Sequence, residues 1–366
     1  MLKYLSLQNF RSYKQLEFKP KTGVLILTGA NGTGKSNLLE SIFYLGTGYS
    51  FRQARDDNLV RFGSSYFVIK GVIENKGIEY KIEVIYRQDQ RKKTTKINGK
   101  NALSGSCTDY LPVVIFSPLD LMLVKGGPSG RRRFLDLVVG QLRPQHNKDL
   151  HYYSSILQQR NKQLRGVSIS NQELLPWDQQ LASVGARIWK RRVVVLSQLL
   201  LLSSKIFMSL SEGRILEGLY RSQISDLEAG DDIERYQQVF IESLQKTRNH
   251  DRRVKATTVG PHRDDFVLYL NKRDARLYAS QGEQRLISLA LKIGHYHLLS
   301  QEQRLDPVLL LDDVFSELDE RHRVFVLEGM KQSSQVIATT TTSFKDSSVD
   351  KTFLTDDIMI VKQKNF

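Results

Sequence analysis

A phosphate-binding loop is the clearest chemical feature of this 366-residue sequence. Residues 29–36 (the phosphate loop) read G-A-N-G-T-G-K-S, and this spacing of glycines lets backbone N–H groups turn toward a triphosphate. Lys35 places a positive charge near the β and γ phosphates, and the Ser36 hydroxyl can ligate Mg²⁺. The residues expected to bind the nucleotide are Gly29, Ala30, Asn31, Gly32, Thr33, Gly34, Lys35 and Ser36.

Two adjacent carboxylates, Asp312 and Asp313, follow the apolar run of residues 307–311. Such a run predicts a buried parallel strand, and ligands of α/β sheets bind beyond the carboxyl ends of the strands. Asp312 is therefore expected to hold the magnesium ion, and Asp313 to face the γ-phosphate and a water molecule. Lys35 and Asp313 are the candidate catalytic residues. The alternative is that the two carboxylates only cap the following turn.

A helix start between these two motifs offers a further anion site. Residues 280–285 (the signature segment) read S-Q-G-E-Q-R and precede a run with helical apolar spacing. The N–H groups and dipole of a helix start favour phosphate, with Ser280, Gly282 and Gln284 as the candidate contacts. Small-residue helix caps are common, but this segment stands where ABC-type ATPases carry their signature motif.

The elements that must position these residues alternate between strands and helices. Residues 1–130 are predicted to form an ATPase lobe in which an apolar strand precedes the phosphate loop and an antiparallel meander follows it. Residues 131–255 carry long helical patterns, including one helix expected to start at Pro176, and form a helical lobe. Residues 256–366 return to α/β with the signature segment and the paired carboxylates. No apolar heptad is sustained, so a long coiled coil is excluded.

The order of these motifs resembles that of the ABC-type heads of the structural-maintenance-of-chromosomes group. Residues 316–319 read S-E-L-D and stand directly after the paired carboxylates, like a D-loop. The sequence is more closely similar to the RecF family of bacterial recombination mediators. The stretches that carry this closer resemblance span almost the whole chain and lie at residues 9–13, 118–136, 260–265 and 280–285.

The resemblance implies an α/β ABC-type ATPase head, a P-loop nucleoside triphosphatase with an inserted compact helical lobe. It implies that Arg11 and Ser12 contact the adenosine or α-phosphate end of ATP, with a solvated surface turn as the alternative. It also implies an ATP-dependent homodimer with composite sites. There the signature segment would reach the γ-phosphate held by the partner, and Asp319 would lie near the junction.

Further expectations from the resemblance concern partners and role. The family implies DNA binding, the RecR and RecO proteins as partners, and repair of single-stranded gaps by helping to load a recombinase. Two departures from the ABC pattern lie at the active site. Ser117 and Asp120 stand near the place of the Q-loop glutamine, and threonines at residues 339–342 stand where a switch histidine is usual. Threonine cannot polarise water as histidine does, so a weak ATPase is expected.

The charge of the chain favours a polyanionic partner. Lysine and arginine total 54 against 39 acidic residues, for a formal net charge of +15. Basic clusters at residues 131–133, 190–192 and 248–255 suggest a track along a nucleic-acid backbone, although each could equally be a solvated face. The sequence does not distinguish double-stranded DNA from single-stranded DNA or a junction.

The remaining composition predicts a cytoplasmic protein without a membrane partner. A single cysteine, Cys107, excludes an internal disulfide and suggests a reducing compartment. The N-terminal segment lacks the apolar core of a signal peptide. Residues 193–210 approach membrane-spanning length, but they include polar side chains and are interpreted as a buried helix.

Three other functions share parts of this pattern. A nucleotide-binding subunit of a membrane transporter has the same ATPase motifs, but neither the basic charge nor the RecF-like stretches. An ATP-gated nuclease would need an appended metal cluster, and none is visible in the sequence. A purely structural DNA clamp, without a loading role, remains an alternative. His262 could be a catalytic base or a structural residue of a turn.

Overall fold

The computed structural model describes residues 1–102, 106–166, 170–224, 230–303, 307–314, 320–323, 325, 333–340 and 358–362. These residues form two compact units. The first comprises Met1–Asp120 and His295–Phe366, and the second comprises Leu121–Gly294. The phosphate loop and the paired carboxylates therefore belong to the first unit, and the signature segment belongs to the second. The division at residues 130/131 and 255/256 stays a prediction.

Strands occur throughout both units. They are β1 (Leu2–Phe10), β2 (Tyr13–Phe18), β3 (Gly23–Thr28), β4 (Tyr66–Asn75), β5 (Ile78–Arg87), β6 (Lys92–Ile97), β7 (Lys100–Ala102), β8 (Val113–Phe116), β9 (Leu216–Arg221), β10 (Asp265–Leu270), β11 (Arg273–Asp274), β12 (Val308–Asp312), β13 (Gln335–Thr340) and β14 (Ile358–Lys362).

The α-helices concentrate in the second unit. They are α1 (Lys35–Thr47), α2 (Met122–Lys125), α3 (Pro128–Leu142), α4 (Gln145–Leu164), α5 (Asn171–Leu210), α6 (Ile233–Val254), α7 (Ala275–Tyr278) and α8 (Gln281–Gln303). Short 3₁₀ turns span Asp56–Leu59, Ser106–Asp109 and Pro118–Leu121.

A five-stranded parallel sheet in the first unit carries the chemistry. Its strand order is β14-β3-β13-β12-β8, and neighbouring strands in it are parallel. Strands β8, β12 and β13 are buried at every position, which explains why the apolar residues of β8 and β12 form continuous runs and do not alternate. Parallel strands place their carboxyl ends at one edge of a sheet. The phosphate loop after β3 and the paired carboxylates at the end of β12 consequently share an edge.

The second sheet of this unit is antiparallel, with the order β2-β1-β4-β5-β6-β7. Strands β4 and β5 alternate between buried and solvent-facing residues, as a half-buried sheet requires. Two-residue turns join β4 to β5 and β6 to β7. Lys76, Gly77, Asn98 and Gly99 all adopt positive φ in them, which matches the twist of a tight hairpin. The meander predicted from the sequence is confirmed.

Helices build the core of the second unit. Trp189 on α5 packs against Phe240 on α6 with ring centroids 4.5 Å apart, and both side chains are fully buried. Strands β9, β10 and β11 form a small antiparallel sheet in the same unit. The helical pattern of residues 131–255 did not predict β9. This strand is short, and its partner β10 lies outside that range of the sequence.

Helix α5 begins earlier than the expected start at Pro176. Ser170 is its N-cap. The Ser170 hydroxyl accepts the N–H of Glu173 at 3.3 Å, and the Glu173 carboxylate accepts the N–H of Ser170 at 2.7 Å. This reciprocal capping box stabilises the helix start and places Pro176 inside the helix, at the cost of one backbone hydrogen bond. Helix α5 is also long and apolar enough to cross a membrane by length and composition, a test that core helices of globular proteins pass as well.

Candidate nucleotide-binding site

The phosphate loop leaves its backbone open to an anion. Gly32 and Gly34 have φ values of +81° and +99°, in the left-handed region that favours glycine. An added Cβ at Gly32 would meet nothing within 4 Å, whereas one at Gly34 would come 3.0 Å from the Ser12 and Tyr13 side-chain oxygens. Helix α1 starts at Lys35 without a side-chain cap. The N–H groups at this helix start can therefore bind phosphate, and the loop fits a nucleoside triphosphate.

Lys35 folds back over the loop. Its ammonium group donates to the carbonyl oxygens of Gly29 at 2.6 Å and Ala30 at 2.8 Å. Burial lowers the pKa of Lys35, while the negative charges of Asp313 and Asp312 oppose that shift. Since a lysine amine is a mobile point charge on a flexible stem, the group can exchange these carbonyls for phosphate oxygens.

Thr339 on β13 ties the two carboxylate residues together. Its hydroxyl accepts the backbone N–H of Asp313 at 3.0 Å and lies 3.1 Å from Oδ1 of Asp312, to which it can donate. Asp313 has a φ of +52°, which turns the chain sharply after β12. This role of Thr339 was not predicted from the sequence. The available signal was a hydroxyl residue near the end of the run of residues 336–342.

Oxygen ligands for a hard cation are available at this edge. Asp312 is nearly buried, with a relative exposure of 6% for the residue. Ser36, whose hydroxyl is the second candidate ligand, is the second residue of α1. Mg²⁺ takes oxygen ligands and commonly combines one or two protein groups with phosphate oxygens and water. The donor set of Ser36 and Asp312 therefore fits a magnesium ion bound together with a triphosphate.

A buried glutamate organises the surroundings of α1. Glu40 is fully buried and accepts two hydrogen bonds from Arg11, both at 2.9 Å, and one from the Ser50 hydroxyl. Ser12 accepts the side-chain amide of Asn37 at 3.0 Å. Arg11 and Ser12 thus lie beside the phosphate-loop helix and are held by protein groups. Their predicted contact with the nucleotide stays a prediction. Glu40 was missed, although a lone acidic residue in an apolar helix pattern was visible.

Ser117 and Asp120, which stand near the place of the Q-loop glutamine, lie in a small turn. The Asp120 carboxylate accepts the backbone N–H of Ser117 at 2.7 Å and so caps the 3₁₀ turn that follows β8. This contact gives Asp120 a local structural role. A contact of either residue with magnesium stays a prediction.

The signature segment forms the start of α8 in the second unit. The Ser280 hydroxyl accepts the N–H of Glu283 at 3.3 Å, and the Glu283 carboxylate accepts the N–H of Ser280 at 2.6 Å. An added Cβ at Gly282 would meet nothing within 4 Å. Gln284 is nearly buried and donates to the carbonyls of Ala279 at 3.1 Å and Ala275 at 3.4 Å. Ser280 is exposed to solvent, while Gln284 braces the preceding turn. Asp319 lies outside the described residues.

Comparisons with known proteins agree with this arrangement. The family model described as the RecF/RecN/SMC N terminal domain matches residues 1–364. This chain belongs to the RecF family. The DNA replication and repair protein RecF of Natranaerobius thermophilus is 36% identical over 358 residues, which cover 94% of this chain and 92% of that protein. The RecF protein of Moorella thermoacetica is 38% identical over 343 residues, with 93% and 90% covered.

A solved structure shows the same fold. The structure of the recombination mediator protein RecF with ATP, in the RecFOR pathway, aligns with a TM-score of 0.89 at 34% identity and covers 94% of this chain and 93% of that one. The fold is thus an α/β ABC-type ATPase head. Among the described residues the longest helix is α5, and no long coiled coil is present.

Several of the clustered arginines of this RecF-family chain are consumed by internal ion pairs. Arg131 binds Asp265 through two hydrogen bonds of 2.8 and 2.7 Å, and Arg192 binds Asp136 through two of 2.8 Å. Arg248 donates to buried Asp178 at 2.7 Å. Each of the three basic clusters therefore gives at least one arginine to an ion pair within the second unit, and Arg191 also binds Asp149. A nucleic-acid track would have to use the other members.

The G-P-H-R-D-D stretch of residues 260–265 is a structural junction in this unit. Nδ1 of His262 lies 2.8 Å from the Tyr153 hydroxyl, and Nε2 lies 3.1 Å from the Thr257 carbonyl. Burial lowers the pKa of His262 to about 4. Asp264 accepts hydrogen bonds from Trp189, Tyr220 and Ser222, and burial raises its pKa. Both ring nitrogens of His262 are engaged, which favours the structural interpretation over a catalytic base.

Proposed function

We propose that this chain binds ATP with Mg²⁺ at the edge of its parallel sheet and acts as an ATP-dependent DNA-binding clamp. The observation that carries the proposal is the meeting of the open phosphate loop after β3 with Asp312 and Asp313 after β12 on one sheet edge. Related proteins named for DNA replication and repair, and a related structure with ATP, support it. The role we infer is recombinational repair of single-stranded gaps and replication-fork maintenance, by promoting recombinase loading.

Each polar group of the site has a distinct task in this proposal. The loop N–H groups and Lys35 bind the β and γ phosphates, while Ser36 and Asp312 hold the metal. Bound magnesium would neutralise charge on the phosphate oxygens. Asp313 positions the attacking water and accepts its proton. Turnover is expected to be slow, because the threonines at residues 339–342, where a switch histidine is usual, cannot replace it as a polarising group.

A composite site would link ATP to dimerisation. In this proposal, the signature segment of one protomer contacts the γ-phosphate bound by the other through Ser280, Gly282 and Gln284, with Asp319 near the junction. The open space at Gly282 and the exposed position of Ser280 support this assignment. A phosphate then joins two chains, so the dimer should require ATP.

The proposed partners follow from charge and family. A net charge of +15 suits a polyanion such as DNA, in double-stranded, single-stranded or junction form. The RecFOR pathway named for a related structure supports RecR and RecO as further partners. A cytoplasmic location without membrane association is part of the same proposal.

Nucleotide binding by a phosphate-loop variant tests the first step. Lys35→Ala should lower the affinity for a fluorescent ATP analogue by at least on the order of a hundredfold, since a charge-assisted contact to phosphate is lost. The far-UV circular dichroism should stay unchanged. Lys21→Ala, at an exposed position before β3, is the matched control and should bind normally. Wild-type affinity in a folded Lys35→Ala variant would refute the assignment.

A further inference from the structure

Arg52 reaches from the segment after α1 to the predicted metal ligand. Its Nη1 atom donates to Oδ1 of Asn37 at 3.1 Å, and its Nη2 atom lies 3.8 Å from Oδ2 of Asp312. The side chain is 31% exposed, so the guanidinium lies partly within the protein and partly open to solvent. Sequence motifs gave no role to this residue.

Asp312 needs a positive neighbour in the metal-free protein. A buried carboxylate without a counter-ion is strongly disfavoured. The ammonium group of Lys35 binds the carbonyls of Gly29 and Ala30. Among the residues the structure describes, Arg52 supplies the ion pair that Asp312 makes within 4 Å. The guanidinium, together with the more distant charge of Lys35, therefore provides the charge compensation that a metal ion would otherwise give.

We propose that Arg52 is the counter-ion of Asp312 in the metal-free chain, and that a divalent cation must displace it to bind. This inference rests on the proposed nucleotide site. It follows from charge: a guanidinium and a divalent cation compete for the same carboxylate oxygens and repel each other. Arg52 thus lowers the metal affinity of the site and keeps Asp312 in place until metal and nucleotide arrive together.

The surroundings give the displaced guanidinium a second place. Besides Asn37, the Nη1 atom lies 3.8 Å from Oε2 of buried Glu40. These contacts involve Nη1, whereas Nη2 is the atom that lies near Asp312. A rotation of the side chain can therefore release Asp312 without rearranging the backbone of residues 48–52, and the exchange should be rapid and reversible.

Manganese binding measures the competition directly. Water-proton relaxation detects even weak Mn²⁺ binding and can be recorded with and without a non-hydrolysable ATP analogue. Arg52→Gln removes the charge but keeps a group that can bond to Asn37, and Arg52→Ala removes both. Each variant should bind Mn²⁺ more tightly than the wild type, by on the order of fivefold, the scale of a partly exposed ion pair.

The matched control is Arg55→Ala, which removes an exposed arginine three positions away and should leave the Mn²⁺ affinity unchanged. Unchanged or weaker Mn²⁺ binding in both Arg52 variants would overturn the inference. Affinity for the ATP analogue in the presence of Mg²⁺ separates this result from the proposed function. A wild type that binds no nucleotide refutes the function, whereas the Mn²⁺ affinities of the nucleotide-free proteins still decide the role of Arg52.

Discussion

At the scale of single residues, one threonine hydroxyl fixes the chemistry at the end of β12. Thr339 bonds to the backbone of Asp313 and lies beside the carboxylate of Asp312, so both acidic residues depend on one side chain of the neighbouring strand. Asp313 also adopts a left-handed conformation, with φ at +52°. This conformation costs a non-glycine residue on the order of 1 kcal/mol, least for asparagine and aspartate.

Asp313→Asn separates catalysis from folding. Asparagine has the same shape and tolerates a left-handed backbone, so the unfolding temperature should stay unchanged while the proton acceptor is lost. ATP hydrolysis should fall on the order of a hundredfold, with ATP binding retained. Steady-state turnover and equilibrium binding measure the two effects, and Asp89→Asn at an exposed turn is the control. Near-normal turnover would assign the base to another group.

His262 should make the stability of the second unit depend on pH. Its folded pKa of about 4 lies below the usual 6.5, so the unfolded chain binds the extra proton first. Stability is therefore complete above about pH 6.5 and falls as the pH drops toward 4, by at most on the order of 3 kcal/mol. Both tryptophans, Trp177 and Trp189, lie in this unit, and urea unfolding followed by their fluorescence measures the loss.

His262→Gln provides the comparison for this pH dependence. The variant should be less stable at pH 7, because the bond to Tyr153 changes, but its stability should vary less between pH 6.5 and 4. Exposed His151→Gln should behave like the wild type. Burial also lowers the pKa of His146, so this second histidine should contribute part of the remaining dependence of stability on pH. An unchanged slope in His262→Gln would show that the imidazole charges freely in the folded state.

At the scale of elements, ion pairs between helices replace part of the expected basic surface. Arg192 on α5 clamps Asp136 on α3 and also donates to the Pro261 carbonyl at 2.6 Å. Removing one partner of a buried ion pair leaves the other charge uncompensated, which is far more costly than losing a surface contact.

Arg192→Ala should therefore lower the stability of the protein without weakening its affinity for DNA. The expected loss is about 3–5 kcal/mol in the free energy of unfolding. DNA affinity per folded molecule should stay close to normal in a fluorescence anisotropy titration. Lys190→Ala, two positions away and only half-buried, should change stability by less than about 0.5 kcal/mol. A stable Arg192→Ala variant that binds DNA weakly would contradict this prediction and would indicate that Arg192 contacts DNA.

How far the sequence predicts such elements depends on whether the determining contact is local. The continuous apolar run before Asp312 predicted β12, and the strand pattern after the phosphate loop predicted the antiparallel meander, since both signals lie within a few neighbouring residues. The start of α5 was wrong, because the capping box at Ser170 outweighs the usual preference of proline for the first turn. The pairing of Arg192 with Asp136 joins distant positions, which no local pattern reveals.

At the scale of the whole molecule, ATP, dimerisation and DNA binding should be coupled. A bulky side chain at position 280 would block a facing phosphate while leaving the phosphate loop of the same chain intact. Ser280→Arg should therefore bind ATP normally, remain a monomer with ATP in sedimentation velocity, and bind DNA weakly. Ser300→Arg, at the far end of α8, is the control. A Ser280→Arg variant that still dimerises with ATP would refute the composite site.

Salt dependence tests the kind of DNA contact. If lysines and arginines bind the phosphate backbone, log affinity should fall linearly with log salt, with a slope of about −0.9 for each phosphate neutralised on duplex DNA. Sequence should matter little. Titrations of the ATP-bound wild type on two unrelated duplexes at several salt concentrations measure both properties. An affinity that ignores salt and ATP would favour the transporter-subunit alternative.

The discontinuity of the first unit has a consequence for synthesis of the chain on the ribosome. Strand β3 pairs with β13 and β14, which are translated only after the whole second unit. Translation adds about 5–20 residues per second, so the apolar strand β3 stays unpaired for on the order of 10 seconds or more before its neighbours are made. The contiguous second unit can fold in that interval. Nascent chains should therefore expose an aggregation-prone strand until translation is nearly complete, and holding chaperones should raise the yield of native protein.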